Sequence, residues 1–430
     1  MKRTPISRVI SSALLAIGLG FATSTAHAAD DTIKVGILHS LSGTMAISES
    51  VLKDTVLMLI ADQNKAGGLL GKKLEPVVAD PASDWDAFAE KAGELLTQQK
   101  VAVVFGGWTS LSRKAALPIF EYVNGLLFYP VQYEGEESSR NVFYLGAAPN
   151  QQAIPAVRYL MSKEGGDVRR WVLLGTDYLY PRRTNQILSA YLAAEGVSSE
   201  DVTTIYAAPN QSDWREIVES VKTFATAGKK TGVISTVTGD SNTHLYAELV
   251  KQQIDASKIP FMALSVSERE LHGVDPGKLA GHMAARNYFQ SVKSAENDAF
   301  IKMWADFTGQ RDKTTNDAME ATFIGFRMWA QAVSQAGTAD VNAVRQAMYG
   351  QRVRAPSGFE VVMNTNHHLS KPAMIGKLDA SGTFDVVWRS ISPIKASVWS
   401  RYLPDSAKRI ADWTFPWVCG GCTEPTFKDW

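Results

Sequence analysis

Residues 101–122, which read VAVVFGGWTSLSRKAALPIFEY, contain the pattern that decides the fold of this chain. The apolar run Val101–Phe105 predicts a buried strand, and the apolar spacing of Ser112–Tyr122 predicts a helix. The two glycines between them permit a tight turn. A strand without polar alternation is typical of a parallel sheet that is covered on both faces. This stretch therefore predicts one βα unit of such a sheet.

The same unit recurs along most of the chain. Further strands are predicted at Ile33–Leu38, Leu74–Ala79, Leu126–Tyr129, Val142–Leu145, Trp171–Leu174, Gly232–Thr236, Pro260–Leu264 and Ala284–Phe289. Further helices are predicted at Ser50–Asn64, Asp86–Gln99, Gln152–Lys163, Arg183–Glu195, Trp214–Ala227, Phe300–Phe307, Met319–Gln335 and Val341–Tyr349. Strands and helices in regular alternation indicate a doubly wound α/β fold. Two parallel-sheet lobes suit a chain of 430 residues better than one very large sheet.

The N-terminus has the features of a cleaved export signal. Residues 1–28 combine three basic residues, the apolar run Val9–Phe21 and a small-residue cleavage site at Ala26-His27-Ala28. The apolar run is too short to be a good membrane span. We therefore expect a freely diffusing periplasmic protein. Its small net negative charge after removal of the signal makes nucleic acids and anionic membranes poor partners.

The only cysteines of the sequence, Cys419 and Cys422, form a C-x-x-C in a Gly-rich tail at 413–430. Such a pair can be a redox site, half of a zinc site or a local disulfide. No second C-x-x-C completes a zinc site, and this one does not open a helix after a strand as a thioredoxin-like site does. In an oxidising compartment we predict a structural disulfide.

The motifs of common enzymes are missing from the sequence. It has no G-x-G-x-x-G after the first strand, no Walker loop, no G-x-S-x-G and no H-E-x-x-H. His367-His368 and the acidic group Asp80, Asp84 and Asp86 are weak metal candidates. We interpret the histidines as part of a polar turn and the aspartates as helix caps. The sequence therefore favours a protein without catalytic residues, cofactor or metal.

Aromatic and neutral polar residues gather in the loops after the predicted strands, where doubly wound folds bind their ligands. The predicted ligand-binding residues are Trp108, Thr109, Ser110, Tyr129, Val131, Glu134, Tyr178, Tyr180 and Asp240. One aromatic loop at a strand end is often edge packing, but three at successive strand ends favour a shared pocket. Helix capping is the alternative role for Thr109, Ser110 and Asp240.

Several segments resemble the urea-binding proteins of ABC transporters. They are IKVGILHSLSGT (33–44), DPASD (80–84), GWTS (107–110), YPVQYEGEE (129–137), GTDYLYP (175–181), GDSN (239–242), MEAT (319–322) and NHHLSKP (366–372). Together they extend over essentially the whole chain after the signal. This resemblance implies a type I periplasmic binding protein, a fold shared with binders of short-chain amides and branched-chain amino acids. It favours Trp108, Ser110, Tyr129, Val131, Tyr178 and Tyr180 as direct ligand contacts.

The resemblance also implies two lobes joined by three hinge strands, with the ligand held between the lobes. The expected ranges are 31–147 with 277–355 for lobe 1, 148–276 with 356–412 for lobe 2, and hinges near 146–149, 284–288 and 355–356. A closed, loaded protein is then expected to deliver its ligand to the membrane permease of an ABC transporter.

Urea is the ligand that these residues favour, with a close small amide next. It is planar and neutral, with four N–H bonds and one carbonyl oxygen, so it requires flat walls, several acceptors and one or two donors. Glu134 and Asp240 offer acceptors, and the aromatic residues offer walls. A zwitterionic amino acid needs a carboxylate clamp and an acid, which Thr109-Ser110 with Asp177 or Asp240 could supply. A branched-chain or other amino-acid receptor, an amide sensor and an exported amidase therefore remain alternatives.

Overall fold

The computed structural model describes residues 32–311, 313–404 and Ser406, together with Met1. The rest of the predicted export signal and the tail with Cys419 and Cys422 lie outside these residues, so the signal and the disulfide stay predictions. Within the described part of the chain, no helix combines the length and apolar character needed to cross a lipid bilayer.

Strands and helices alternate through the first two-thirds of the chain. The strands are β1 (Thr32–Leu38), β2 (Lys73–Ala79), β3 (Val103–Gly106), β4 (Leu127–Tyr129), β5 (Val142–Tyr144), β6 (Arg170–Thr176), β7 (Val202–Ala207), β8 (Thr231–Thr236), β9 (Phe261–Ala263), β10 (Met283–Arg286), β11 (Arg352–Arg354), β12 (Glu360–Met363), β13 (Leu369–Lys371), β14 (Met374–Leu378), β15 (Phe384–Arg389) and β16 (Ile394–Lys395). The helices are α1 (Ala46–Lys65), α2 (Trp85–Gly93), α3 (Ser110–Tyr122), α4 (Ala153–Met161), α5 (Leu179–Ala194), α6 (Arg215–Phe224), α7 (Ser241–Lys251), α8 (Pro276–Leu279), α9 (Ala295–Phe307), α10 (Asp317–Ala336) and α11 (Val341–Met348). Shorter helical segments lie at Glu94–Gln98, Pro149–Gln151 and Ser199–Asp201.

Five parallel strands form the sheet of the first lobe, in the order β2-β1-β3-β4-β5. The core of this lobe also contains buried residues of helices α9, α10 and α11. A small antiparallel sheet, β11-β12-β13-β16, completes it, because Val361, Met363 and Leu369 are buried in the same core. The first lobe is therefore built from three separate stretches of the chain, which contain β1 to β5, α9 to β13, and β16.

Seven strands form the sheet of the second lobe, in the order β15-β14-β10-β9-β8-β6-β7. Strands β6 to β10 are parallel, and β14 and β15 are antiparallel additions beside β10. Both faces of the sheet are covered, because Val172 and Leu174 belong to one core while Trp171 and Leu173 belong to another. Burial on both faces accounts for the unbroken apolar run in β6.

Four passages of the chain join the lobes, and Asn287 ties three of them together. The chain leaves the first lobe after β5, returns after β10, leaves again between β13 and β14, and returns before β16. The buried side-chain amide of Asn287, in the second passage, donates to the carbonyl of Gln151 in the first (3.1 Å) and of Pro372 in the third (2.6 Å). Its backbone N–H donates to Asp317 of α10 (3.0 Å). One side chain therefore holds three passages at a single point.

The predicted two-lobe α/β fold is confirmed, but three segments lie in the other lobe than expected. Strand β16, expected in lobe 2, lies in the first lobe because it pairs with β13. Strand β10, expected in lobe 1, lies in the second lobe because it pairs with β9 and β14. The segment 356–371, expected in lobe 2, lies in the first lobe because β12 and β13 complete its core. The third passage accordingly lies at Pro372 instead of 355–356, where the chain turns from β11 to β12.

Replacing Asn287 by alanine should loosen the junction of the lobes. Two buried carbonyls each lose a hydrogen-bond donor, at a cost of about 1–3 kcal/mol each. The free energy of unfolding, measured by thermal denaturation without urea, should therefore fall by about 2–4 kcal/mol. Small-angle scattering of the ligand-free variant should show a larger radius of gyration. Asn297→Ala is the matched control, because Asn297 also donates to two carbonyls, those of Gln290 and Val292, but within one segment. An unchanged radius in Asn287→Ala would contradict this role.

Candidate functional site

The carboxyl ends of the parallel strands of both lobes meet at a seam that is closed by hydrogen bonds. Gln132, after β4, donates its side-chain amide to the hydroxyl of Ser265, after β9 (2.7 Å). Ser48 of α1 donates its hydroxyl to the carboxylate of Glu270 in the second lobe (2.9 Å). Ligands of α/β sheets bind beyond the carboxyl ends of the strands. This seam between the lobes is therefore the candidate ligand site.

Trp108 reaches the seam from the end of β3. The preceding Gly107 has a φ of 83°, and a Cβ at this position would lie 3.3 Å from the ring of Tyr129. The positive φ favours glycine here, and a side chain would in addition crowd the Tyr129 ring. The carbonyl of Trp108 accepts the hydroxyl of Tyr129, which is fully buried. The Tyr129 hydroxyl is thus used within the protein, and a ligand contact from this residue would come from its ring.

Thr109 and Ser110, at the start of α3, have different partners. Thr109 caps the helix, since its hydroxyl oxygen accepts the backbone N–H of Ser112 (3.0 Å). The alternative role of Thr109 as a helix cap is therefore confirmed. Ser110 donates its hydroxyl across the loop to the carboxylate of Glu134. The predicted site residues Ser110 and Glu134 are thus brought into direct contact.

Four fully buried charges lie behind Ser110. Arg113 donates to Glu134 (3.0 Å) and to Glu137 (2.9 Å), and the ammonium of Lys114 lies 2.8 Å from the other oxygen of Glu137. Charges in the interior must be paired, because an isolated buried ion costs several kcal/mol. Burial acts to raise the pKa of Glu137, but the charges of Arg113 and Lys114 outweigh it and hold that pKa well below its usual range. The cluster joins α3 rigidly to the loop at 129–137.

Aromatic rings cover this charge cluster on the side of the small sheet. The ring of Tyr144 is stacked on those of His368 (4.5 Å between centroids) and Tyr133 (4.9 Å), and its hydroxyl donates to Glu137 (2.7 Å). Burial lowers the pKa of His368 to about 4, so the stacked imidazole is neutral at pH 7. The loop that carries Tyr129, Val131 and Glu134 is therefore held from both sides.

The weak metal candidates have other roles. His367 has a φ of 64° in a turn, and its ring is stacked on Phe143. Asp84 caps α2 by accepting the N–H of Ala87 (2.9 Å), and Asp80 accepts the N–H groups of Leu41 and Ala82. Among the described residues, no three His, Cys, Asp or Glu side chains are gathered in a way that could hold a metal ion.

Tyr178 and Tyr180 approach the seam from the second lobe. Both are buried, and their ring centroids lie 6.3 Å apart. Burial raises the pKa of Tyr180 to about 12, and Ser265 lies beside its hydroxyl. That hydroxyl nevertheless makes no well-aligned hydrogen bond to any described residue. Burial also raises the pKa of Tyr178, with a smaller contribution from the charge of Glu134 across the seam. The two tyrosines therefore face the wall formed by the first lobe.

Val131 and Asp240 complete the predicted set. Val131 is buried, and its carbonyl packs closely against Gly146. A Cβ on residue 146 would lie only 2.0 Å from the Val131 carbonyl. Asp240 is half-buried at the start of α7, and its carboxylate makes no capping bond to the helix. The capping alternative for Asp240 is therefore wrong.

His39 and Glu49 are buried polar residues that the sequence analysis missed. The Nδ1 of His39 lies 3.2 Å from Oε2 of Glu49, which also accepts the N–H of Ser40 (2.9 Å). The other ring nitrogen of His39 and the other oxygen of Glu49 are buried without a hydrogen-bond partner among the described residues, as is Oδ1 of Asn242 after β8. Each such atom costs about 1–3 kcal/mol. Their positions in the sequence could have indicated these residues, because His39 directly follows β1 and Asn242 lies in the first turn after β8.

Comparison with known proteins agrees with this architecture. A family model described as periplasmic binding protein domain matches residues 33–405. The chain belongs to the periplasmic binding protein family. This membership agrees with the prediction of a binding protein instead of an enzyme.

Three similar proteins illustrate how far the likeness extends. The leucine-, isoleucine-, valine-, threonine- and alanine-binding protein of Pseudomonas aeruginosa is 29% identical over 161 residues, which is 37% of this chain and 42% of that protein. Limonene hydroxylase of Geobacillus stearothermophilus is 31% identical over 137 residues, 32% of this chain and 25% of that protein. The chain thus spans less than half the length of both relatives. A solute-binding protein of an ABC transporter from Rhodopseudomonas palustris HaA2, solved with p-hydroxybenzoic acid, is 18% identical with a TM-score of 0.73, covering 86% of this chain and 99% of that one. This last likeness shows the fold.

Glu137→Gln should destabilise the protein in a pH-dependent way. Loss of the charge leaves the positive charges of Arg113 and Lys114 without a full counter-charge. We therefore expect the free energy of unfolding at pH 7, measured by thermal denaturation without urea, to fall by about 3–5 kcal/mol. Because the pKa of Glu137 in the folded state lies below its ordinary value of 4.5, its stabilisation is complete above that pH and declines as the pH falls. The difference between variant and wild type should therefore narrow below pH 4.5. A difference that stays constant from pH 7 to pH 3 would contradict this account.

Proposed function

We propose that this protein is a periplasmic solute-binding receptor that captures urea, or a close small amide, between its lobes and delivers it to the permease of an ABC transporter. In this proposal it has no catalytic activity of its own. The observation that carries the proposal is a set of buried polar atoms, in the segments that follow β1, β6 and β8, that lack a hydrogen-bond partner among the described residues. They are Oε1 of Glu49, Oδ1 of Asn242, Nε2 of His39 and the hydroxyl of Tyr180.

Urea matches this set of atoms. The unpaired oxygens of Glu49 and Asn242 can only accept hydrogen bonds, whereas the Tyr180 hydroxyl can donate or accept. A ligand with several N–H groups and one carbonyl would use both kinds of atom, and the rings of Trp108 and Tyr178 would provide flat walls. A planar neutral ligand that pairs all of its N–H groups is strongly preferred over one that leaves a polar atom unmatched in a closed cleft.

Closure would follow from contacts with both lobes. Glu49 and Trp108 belong to the first lobe, and Tyr180 and Asn242 to the second. A ligand that bonds to both sets stabilises the closed arrangement relative to the open one by its differential affinity. The closed form is then the species that the permease recognises.

An amino-acid receptor is the second candidate, favoured by the similarity to the Pseudomonas aeruginosa protein. The buried contacts give it less support. The Thr109 hydroxyl oxygen caps α3 by accepting the N–H of Ser112, and the Ser110 hydroxyl donates its hydrogen bond to Glu134. Arg113 is paired with Glu134 and Glu137. The groups that would hold an amino-acid carboxylate are thus engaged by other residues.

Isothermal titration with urea, formamide, acetamide and leucine tests the function directly. We expect one-to-one binding of urea, weakened at least about tenfold in Tyr178→Ala, which removes one flat wall. Tyr122→Ala, on the exposed outer surface of α3, is the matched control. Trp108→Ala should lose more ligand-free stability than Tyr178→Ala, because Trp108 belongs to the core of the first lobe. Heat from leucine but not urea would favour the amino-acid receptor, and sustained ammonia release from urea would overturn the non-enzymatic proposal.

Glu49→Gln probes the polar end of the proposed site. The bonds from His39 and Ser40 occupy one carboxylate oxygen, so the amide NH2 would take the place of the unpaired acceptor. A ligand N–H would then face another N–H, and we expect urea affinity to fall about tenfold or more. Glu90→Gln, at an exposed position of α2, should leave the affinity unchanged. Equal affinity in Glu49→Gln and wild type would remove Glu49 from the site.

A further inference from the structure

A second cavity lies apart from the aromatic residues of the seam. It has a volume of about 590 Å³ and lies between helices α4 and α5 of the second lobe, the loop at 134–136 of the first lobe, and the segment 388–402. This volume falls within the range of sites that hold small organic ligands, about 300–1,000 Å³. None of Trp108, Tyr129, Tyr178 and Tyr180 is among its lining residues.

The outer wall of the cavity is anchored to the protein body. The backbone N–H of Glu136 donates to the carbonyl of Val398 (2.8 Å), and its carboxylate accepts the N–H of Ser400 (2.7 Å) and the hydroxyl of Ser406. Asn150 accepts the N–H of Ser397 (2.9 Å). These bonds hold residues 397–400 and Ser406 over the cavity, which is therefore a built feature of the fold.

The walls combine flat aromatic surface with aliphatic side chains. Trp388 and Trp399 are half-buried along one side, and Ile154 and Ile187 are buried at the base. Such a surface favours a ligand with a flat apolar body, because aromatic rings gain from stacking in addition to the burial of apolar area.

Three arginines also line this cavity. Arg158, Arg389 and Arg401 are exposed, and none forms an ion pair with another residue that the structure describes. Arg158 contacts the hydroxyl of Tyr191, Arg389 lies over the ring of Phe359 (5.8 Å to its centroid), and Arg401 donates to the hydroxyl of Tyr402 (2.7 Å). None of these partners is charged. The guanidinium groups thus keep donors for a carboxylate, which they bind in a bidentate geometry.

The carboxylates of the cavity wall are already engaged. Glu134 is bonded to Ser110 and Arg113, and Glu136 is bonded to Ser400 and Ser406. The charged groups left to interact with a ligand are therefore the cationic ones.

We propose that this cavity is a second ligand site that takes an aromatic monocarboxylate. The ring lies against Trp388 and Trp399, and the carboxylate pairs with the arginines at the mouth. Glu134 lines this cavity and also bonds to Ser110 in the seam. The two sites share that wall without sharing their binding groups, so occupancy of the second site does not exclude a ligand from the first.

Titration of the full-length mature protein with 1-naphthoate, in the presence of saturating urea, tests the proposal. We expect one-to-one binding that quenches tryptophan fluorescence. Arg401→Gln and Arg158→Gln should each weaken it about tenfold, the effect of losing one charge-assisted hydrogen bond. Trp399→Phe should reduce the quenching. Arg352→Gln is the matched control, since Arg352 is an exposed arginine on β11 of the other lobe.

Each other outcome overturns the second site. Naphthoate binding that appears only in the absence of urea, with no effect of the arginine substitutions, would place naphthoate in the seam. Equal weakening in Arg352→Gln would indicate nonspecific attraction to surface charge, and no binding up to millimolar naphthoate would show that the cavity is not a ligand site. If urea itself does not bind, the arginine and tryptophan variants still decide this inference independently of the proposed function.

Discussion

The pairing of Arg113 with Glu134 and Glu137 is the interaction on which the rest of the site depends. It fixes the first turns of α3 against the loop after β4, so that Trp108 and Ser110 on one side keep a constant position relative to Tyr129 and Glu134 on the other. The charges are acceptable in the interior only because each has a partner. The same constraint determines which polar groups of this wall are used internally and which are left to contact a ligand.

Much of the fold could be predicted because its causes are local. Strands covered on both faces, such as β6 and β8, appear in the sequence as apolar runs, and a capping residue such as Asp84 marks where α2 begins. Strand β7 could not be predicted in this way. It lies at an edge, pairs only with β6, and its half-exposed residues include two adjacent threonines, which interrupt any apolar run. The lobe to which β10 belongs depends on its pairing with β14, far along the chain, which no local pattern encodes.

The candidate site was only partly predictable for a related reason. The sequence indicates which aromatic residues follow strands, and Trp108, Tyr178 and Tyr180 are indeed buried in the segments that follow β3 and β6. It does not indicate which polar atoms are already paired. The hydroxyl of Tyr129 donates to a backbone carbonyl, whereas one carboxylate oxygen of Glu49 has no partner because His39 contacts only the other oxygen. In the proposed site the ligand preference would depend on such unpaired atoms, which follow from the three-dimensional pairing of the whole lobe.

The amide of Asn287 has a consequence for how the lobes can move. Asn287 lies in one passage and donates to carbonyls in two others, those of Gln151 and Pro372. If the three passages slid past one another, these two buried carbonyls would lose their hydrogen-bond donor, which is unfavourable. Sliding and twisting motions of one passage alone are thereby disfavoured. If the protein works as proposed, the motion left to the lobes would be a rotation of one lobe about this shared point. A small molecule bound between the lobes would then need only a few contacts to hold the rotation at one angle.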